Sequence, residues 1–202
     1  MHQYCCDPTV TVTQLQVILQ LNPSTIYQSA VVRVDPKPLM DTGACKYEPF
    51  QYPLNLAIHN NACTNVILFL LGADISVLSR IDGIQKESPL HILLRQSRPD
   101  AAALVKGFLV AAALLSFPLA QQIDARGQVP LHVAISHSTD LIAIHQLVKA
   151  SPQTLHVSSR AGLTPVQLAS RRHATCSEKV ADFLLQFSSL ILREHEFDDS
   201  GI

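Results

Sequence analysis

One short pattern recurs along this 202-residue chain and constrains its fold more than any bulk property: a proline opening a run of apolar residues. It reads Pro53-Leu54-Asn55-Leu56-Ala57, Pro89-Leu90-His91-Ile92-Leu93, Pro130-Leu131-His132-Val133-Ala134 and Pro165-Val166-Gln167-Leu168-Ala169, with separations of 36, 41 and 35 residues between prolines. Self-similarity at such a period marks a stacked array, in which a unit cannot bury its apolar face without its neighbours. Proline fits the first turn of a helix because its missing N–H has no intrahelical partner there. Each proline therefore predicts a helix start. A polar break follows each short helix, at Asn60-Asn61, Ser97-Arg98-Pro99-Asp100, Ser136-His137-Ser138 and Arg171-Arg172-His173. Beyond the breaks, more apolar second helices are expected over 64–71, 100–115, 139–149 and 177–192.

Period alone does not separate a 33-residue unit from a 34-residue one. The approach to the proline does. Gly127 stands three residues before Pro130 and Gly162 three before Pro165, with Leu163-Thr164 completing the second approach. Over about 12–187 the chain thus resembles the ankyrin-repeat family, whose signature is Gly-x-Thr-Pro-Leu-His-x-Ala. The resemblance implies an all-α fold, an ankyrin-repeat solenoid of stacked antiparallel helix pairs, about four and a half units, with hairpin-like finger loops. Its motif positions are Pro89, Leu90, His91, Gly127, Pro130, Leu131, His132, Gly162, Thr164 and Pro165. In that family the glycine takes a positive φ, the threonine caps the helix and the histidine hydrogen-bonds neighbouring backbone. Thr164, His91 and His132 match those roles, and Ser88 substitutes as a cap. Leu71-Gly72-Ala73-Asp74 resembles the family's helix exit.

The units differ in quality. At Pro53 the histidine is replaced by Asn55 and the nearest turn is Asp41-Thr42-Gly43; at Pro165 the family's leucine and histidine are Val166 and Gln167. The turn Asp82-Gly83 precedes Pro89 by six residues, so 84–87 enlarges a fingertip. The organisation expected is a leading half-repeat, second helix only, over 1–29; an insertion over 30–52; repeats over 53–88, 89–129 (with a long second helix) and 130–164; a capping repeat over 165–192; and a polar tail over 193–202. Val133, Ala134, Leu141, Ile144, Leu147 and Val148 are expected to form one inter-repeat layer, and Leu168, Ala169, Val180, Phe183, Leu184 and Phe187 the next.

Composition supports a folded chain: 48% of residues are hydrophobic and 15% charged. A net charge of -1 provides no field to hold a polyanion, which argues against nucleic acid as partner. Cys5, Cys6, Cys45, Cys63 and Cys176 lack zinc-site or disulfide-framework spacing, and no secretory signal opens the chain. An intracellular setting, cytoplasmic or nuclear, is expected, with the chain a monomer. The segment 101–120 is apolar enough to be misread as a membrane helix. Its alanines, Lys106 and its register between two anchors argue for a repeat helix instead. Membership of a larger ankyrin-containing membrane protein, as its extramembrane or membrane-associated part, is the alternative reading.

Catalytic chemistry is not legible: there is no Gly-rich phosphate loop, nucleophile elbow or His-Glu-x-x-His run. The chain is read as no enzyme, with no cofactor and no metal. Vicinal Cys5-Cys6 is a candidate for lipidation, metal binding or oxidation, set against an inert terminus. The function expected is protein–protein interaction of scaffold or adaptor type, through a concave face built from fingers and first helices. Candidate contacts are Arg80, Asp82, Arg126, Gln128 and Arg160 on the fingers, with Arg95, His137, Arg171 and Arg172 beyond. Arginine forms bidentate bonds and is enriched at binding hot spots, although any one of these side chains is equally a solvated surface residue.

Overall fold

A computed structural model describes residues 52–81, 85–137, 139–171 and 178–198, except the side chains of 190–198, together with helical positions at Thr13 and Gln16. The half-repeat over 1–29 with Cys5 and Cys6, the insertion over 30–51, and Asp82 and Arg172 otherwise lie outside the described residues. What is described is all-helical: α1 (Pro53–His59), α2 (Thr64–Ala73), α3 (Pro89–Arg95), α4 (Ala101–Leu114), α5 (Pro130–Ser136), α6 (Leu141–Ala150), α7 (Pro165–Arg171) and α8 (Glu178–Asp198). Short 3-10 turns, Ile75–Ser79, Leu119–Gln121 and Pro152–His156, follow α2, α4 and α6.

The four prolines open α1, α3, α5 and α7. Steric clash with the proline ring drives the preceding residue into extended backbone, and Tyr52, Ser88 and Val129 have ψ of 151°, 161° and 161°. The polar breaks after α1 and α3 are left-handed stops, at Asn61 and Ser97. After α1, Asn61 has φ +55°, its N–H donates to Ile58 O, and Ala62 N–H reaches back to Ala57 O at 2.9 Å. The same device ends α4, where Ser116 has φ +51° and Phe117 N–H donates to Ala112 O.

The helices pack as two layers of sequential neighbours. In one layer α1 packs on α3, α3 on α5 and α5 on α7; in the other α2 packs on α4, α4 on α6 and α6 on α8. Within each successive pair, α1 with α2 through α7 with α8, the helices also touch. Between the layers runs one apolar cluster that includes Ile58, Ile67, Leu94, Phe108, Leu131, Ile144 and Leu184. Burying a side chain of this kind contributes about 1.5–3 kcal/mol. Of the expected inter-repeat residues, Val133, Ala134, Ile144, Leu147, Val148, Ala169, Val180 and Leu184 are buried, while Leu141, Leu168, Phe183 and Phe187 pack at the rim. His145 and Phe183 add a ring contact between α6 and α8, with centroids 5.3 Å apart.

Polar ties join the units at the loops inside each helix pair. Gln96 Nε2 donates to His59 O at 2.8 Å, Arg98 Nη2 to Ala62 O at 2.8 Å, and Ser97 Oγ to His137 O at 2.7 Å. Arg98 also holds Asp100 in a two-point ion pair, 2.8 Å at each contact, and Thr64 bonds the same carboxylate. These bonds, the Arg98 guanidinium first, lower the Asp100 pKa to about 2.

One second helix, α4, falls within a residue of its expected 100–115 span, whereas the last, α8, runs past its expected end at 192. The helix within 101–120 stops at Leu114, so its 14 residues rise only about 21 Å, short of the roughly 30 Å hydrocarbon core. Its Leu104, Val105, Phe108, Ala111 and Ala112 are buried against neighbouring helices, and no described helix is long and apolar enough to cross a membrane. At the other end, α8 continues past 192 to Asp198. The stretch Arg193-Glu194-His195-Glu196 contains no glycine or proline to stop it, and its arginine and glutamates are good helix formers.

Candidate binding surface on the finger edge

The segments between one helix pair and the next form tight turns. In Asp124-Ala125-Arg126-Gly127-Gln128 the Asp124 Oδ1 accepts the N–H groups of both Arg126 and Gln128 at 2.8 Å, and Asp124 N–H donates to Gln128 O at 3.0 Å. Gly127 closes the turn with φ +71° and its N–H on Asp124 O. The following finger repeats the design: Ser159 N–H donates to Leu163 O, Gly162 N–H to Ser159 O, and Gly162 has φ +74°.

Adjacent fingers are hydrogen-bonded to each other. Ala125 N–H donates to Gln85 O at 2.8 Å, and Arg160 N–H donates to Arg126 O at 3.0 Å. Two buried histidines fasten the bases of these fingers to the helices. His91 Nδ1 accepts from Ser88 N–H at 3.3 Å and from the Ser88 hydroxyl at 2.7 Å, while its Nε2–H donates to Gln128 O at 3.0 Å. His132 does the same one unit later, with Nδ1 on Val129 N–H and Nε2 on Leu163 O at 2.9 Å. That pattern requires the neutral imidazole carrying its proton on Nε2. Burial accordingly pushes both histidines below their ordinary pKa of 6.5, against the pull of the carbonyls they contact.

At Gln167 the side chain keeps only the local half of this arrangement. Its Oε1 accepts from Thr164 N–H at 3.1 Å, and Gln167 N–H donates to Thr164 Oγ1 at 3.3 Å, a reciprocal capping box. The amide is exposed.

Among the candidate contacts, Arg80, Arg126 and Arg160 are exposed at the fingers. Gln128 is half-buried, and its carbonyl is already committed to His91 and Asp124. His137 and Arg171 are exposed at the C-terminal ends of α5 and α7, away from the fingers. Arg95 belongs by position to the same end of α3, but its guanidinium folds back to an ion pair with Glu87 at the helix start. Burial raises the Glu87 pKa above its ordinary 4.5; Arg95 opposes this, the Asp124 charge adds to it, and Arg126 opposes it. The structure therefore brings Glu87, Arg95, Asp124 and Arg126 into one electrostatic group that the sequence reading did not assemble. Asp124 carried a usable signal, since aspartate at the first and glycine at the fourth position favour a turn. Glu87 carried none, because its burial depends on two neighbouring units.

Among the described residues, no group of three or more His, Cys, Asp or Glu is placed to hold a metal ion. No family model matches the chain, and no curated protein matches it in sequence.

Proposed function

We propose that the chain is an ankyrin-repeat-type interaction module that binds a partner protein through its fingers and first helices, without catalysing a reaction. One observation carries the reading: consecutive fingers are tied edge to edge, and to buried histidines, so that exposed arginines stand on an ordered backbone. Rigid presentation lowers the ordering cost of association. The resemblance of Gly127–Ala134 and Gly162–Ala169 to the ankyrin signature supports the family, and in that family this edge and the concave face beside it engage partners. Scattered cysteines support a reducing intracellular setting.

A photo-crosslinking amino acid placed at Arg126 or Arg160, and as controls at Lys106 or Asp140 on the second-helix side, tests the reading in cells. The expected result is the same protein adduct from both finger positions and not from the controls. Adducts from the second-helix positions alone would move the interface to the other layer and overturn the proposal.

A further inference from the structure

Among the described residues the accessible carboxylates are confined to the second helices and the loops flanking them, whereas exposed cations stand on both sides of the stack, Lys106, Lys149 and Lys179 among them on the second helices. Arg80, Lys86, Arg95, Arg126, Arg160 and Arg171 stand on the finger and first-helix side, exposed or half-exposed. The carboxylates described on that side, Glu87 and Asp124, are buried; one is ion-paired to Arg95 and the other accepts backbone N–H groups. Accessible carboxylates, Asp74, Asp140, Glu178 and Asp182, stand instead on the second helices or the loops flanking them. Asp82 lies outside the described residues and neighbours Arg80 in sequence, so the later fingers carry the argument.

At those fingers the hydrogen bond from Arg160 N–H to Arg126 O sets the two backbones about one strand spacing apart, roughly 5 Å. The Arg160 stem lies over Gly127: a Cβ there would sit 3.0 Å from Arg160 Cγ. Among the described residues neither Arg126 nor Arg160 has a carboxylate within ion-pair distance. Two exposed arginines on hydrogen-bonded neighbouring fingers, neither of them ion-paired among the described residues, leave guanidinium donors open to an incoming anion.

Resting on the interaction-module reading, we propose that this edge recognises an acidic, extended segment of a partner protein, whose carboxylates bond Arg126 and Arg160 while Lys86 flanks them. An extended chain carries side chains of one face about 7 Å apart, a spacing that flexible arginines on neighbouring fingers can span. Nucleic acid fits less well. No Phe or Tyr side chain is exposed among the described residues to stack a base, and the overall charge of -1 attracts no polyelectrolyte.

The experiment is fluorescence anisotropy of the full chain with labelled peptides of equal length, one alternating glutamate and glycine, one glutamine and glycine, one lysine and glycine. The glutamate peptide alone should bind, more weakly as salt rises. Arg126→Glu/Arg160→Glu should weaken it about tenfold or more, and Asp140→Lys should change it less than about twofold. If the double reversal disturbs the circular dichroism spectrum, Arg126→Gln/Arg160→Gln supplies the same readout with the backbone hydrogen bonds retained. A glutamate peptide that binds no better than the glutamine peptide, or equally well to the double variant, overturns the proposal. So does an oligothymidylate strand that binds more tightly through the same arginines. Fingertip crosslinking to a protein despite failure of the glutamate peptide would sink the acidic-segment inference and leave the interaction module standing; loss of both would remove the two together.

Discussion

A histidine buried at the start of a helix is tolerated most easily as the neutral imidazole, and that couples stability to pH. His91 and His132 use one ring nitrogen as acceptor and the other as donor, so a second proton breaks the bond to Ser88 or Val129 N–H. Their folded pKa is depressed, so the unfolded chain binds more protons below the ordinary value of 6.5. The stabilisation is complete above that value and is lost as pH falls through it toward the folded pKa. Urea midpoints of the wild type should therefore fall between about pH 7.5 and pH 5, and His91→Gln/His132→Gln should show a flatter profile. At the higher pH each glutamine should cost about 1–2 kcal/mol, because it keeps the local acceptor seen at Gln167 and gives up the bond to the next finger. A parallel loss in both proteins would assign the pH dependence to other groups.

Among the elements, the fingers illustrate how two similar turns carry different constraints. Gly127 and Gly162 share a left-handed φ, +71° and +74°, which costs an L-residue about 1 kcal/mol or more. Only Gly127 is also crowded, since an added Cβ would sit 2.9 Å from the Arg160 backbone nitrogen, whereas nothing lies within 4 Å at Gly162. Gly127→Ala should therefore cost about 2–3 kcal/mol and Gly162→Ala about 1 kcal/mol, read from denaturant melts. Equal costs would show that φ alone governs both sites. The glycine requirement was legible in sequence, because turn chemistry is local. The crowding was not, because Arg160 arrives from the next finger.

For the whole molecule, the relevant property is that each helix pair packs mainly on its sequential neighbours. A cavity in the middle should then spread in both directions and one at the end should not. Phe108 is fully buried in α4, between α2 and α6, and Leu184 is fully buried in α8 at the end of the stack. Phe108→Ala should cost about 3–5 kcal/mol and lower amide protection on both sides of α4. Leu184→Ala should cost about 2–4 kcal/mol, with protection lost chiefly in α7 and α8. Uniform loss of protection in both variants would mean that the stack unfolds as a single unit.

What the sequence determined by itself was set by short-range physics. Proline at the first helical turn marked the starts of α1, α3, α5 and α7, polar breaks marked their ends, and Gly127 and Gly162 marked the turns between pairs. The all-helical character followed from these signals. Tertiary structure alone decided that the apolar face of α4 is spent on its neighbours, and that Glu87 and Asp124 are buried while Arg126 and Arg160 stand on adjacent fingers. Each of these depends on residues about 35–40 positions apart meeting across the stack, and no local propensity carries that information.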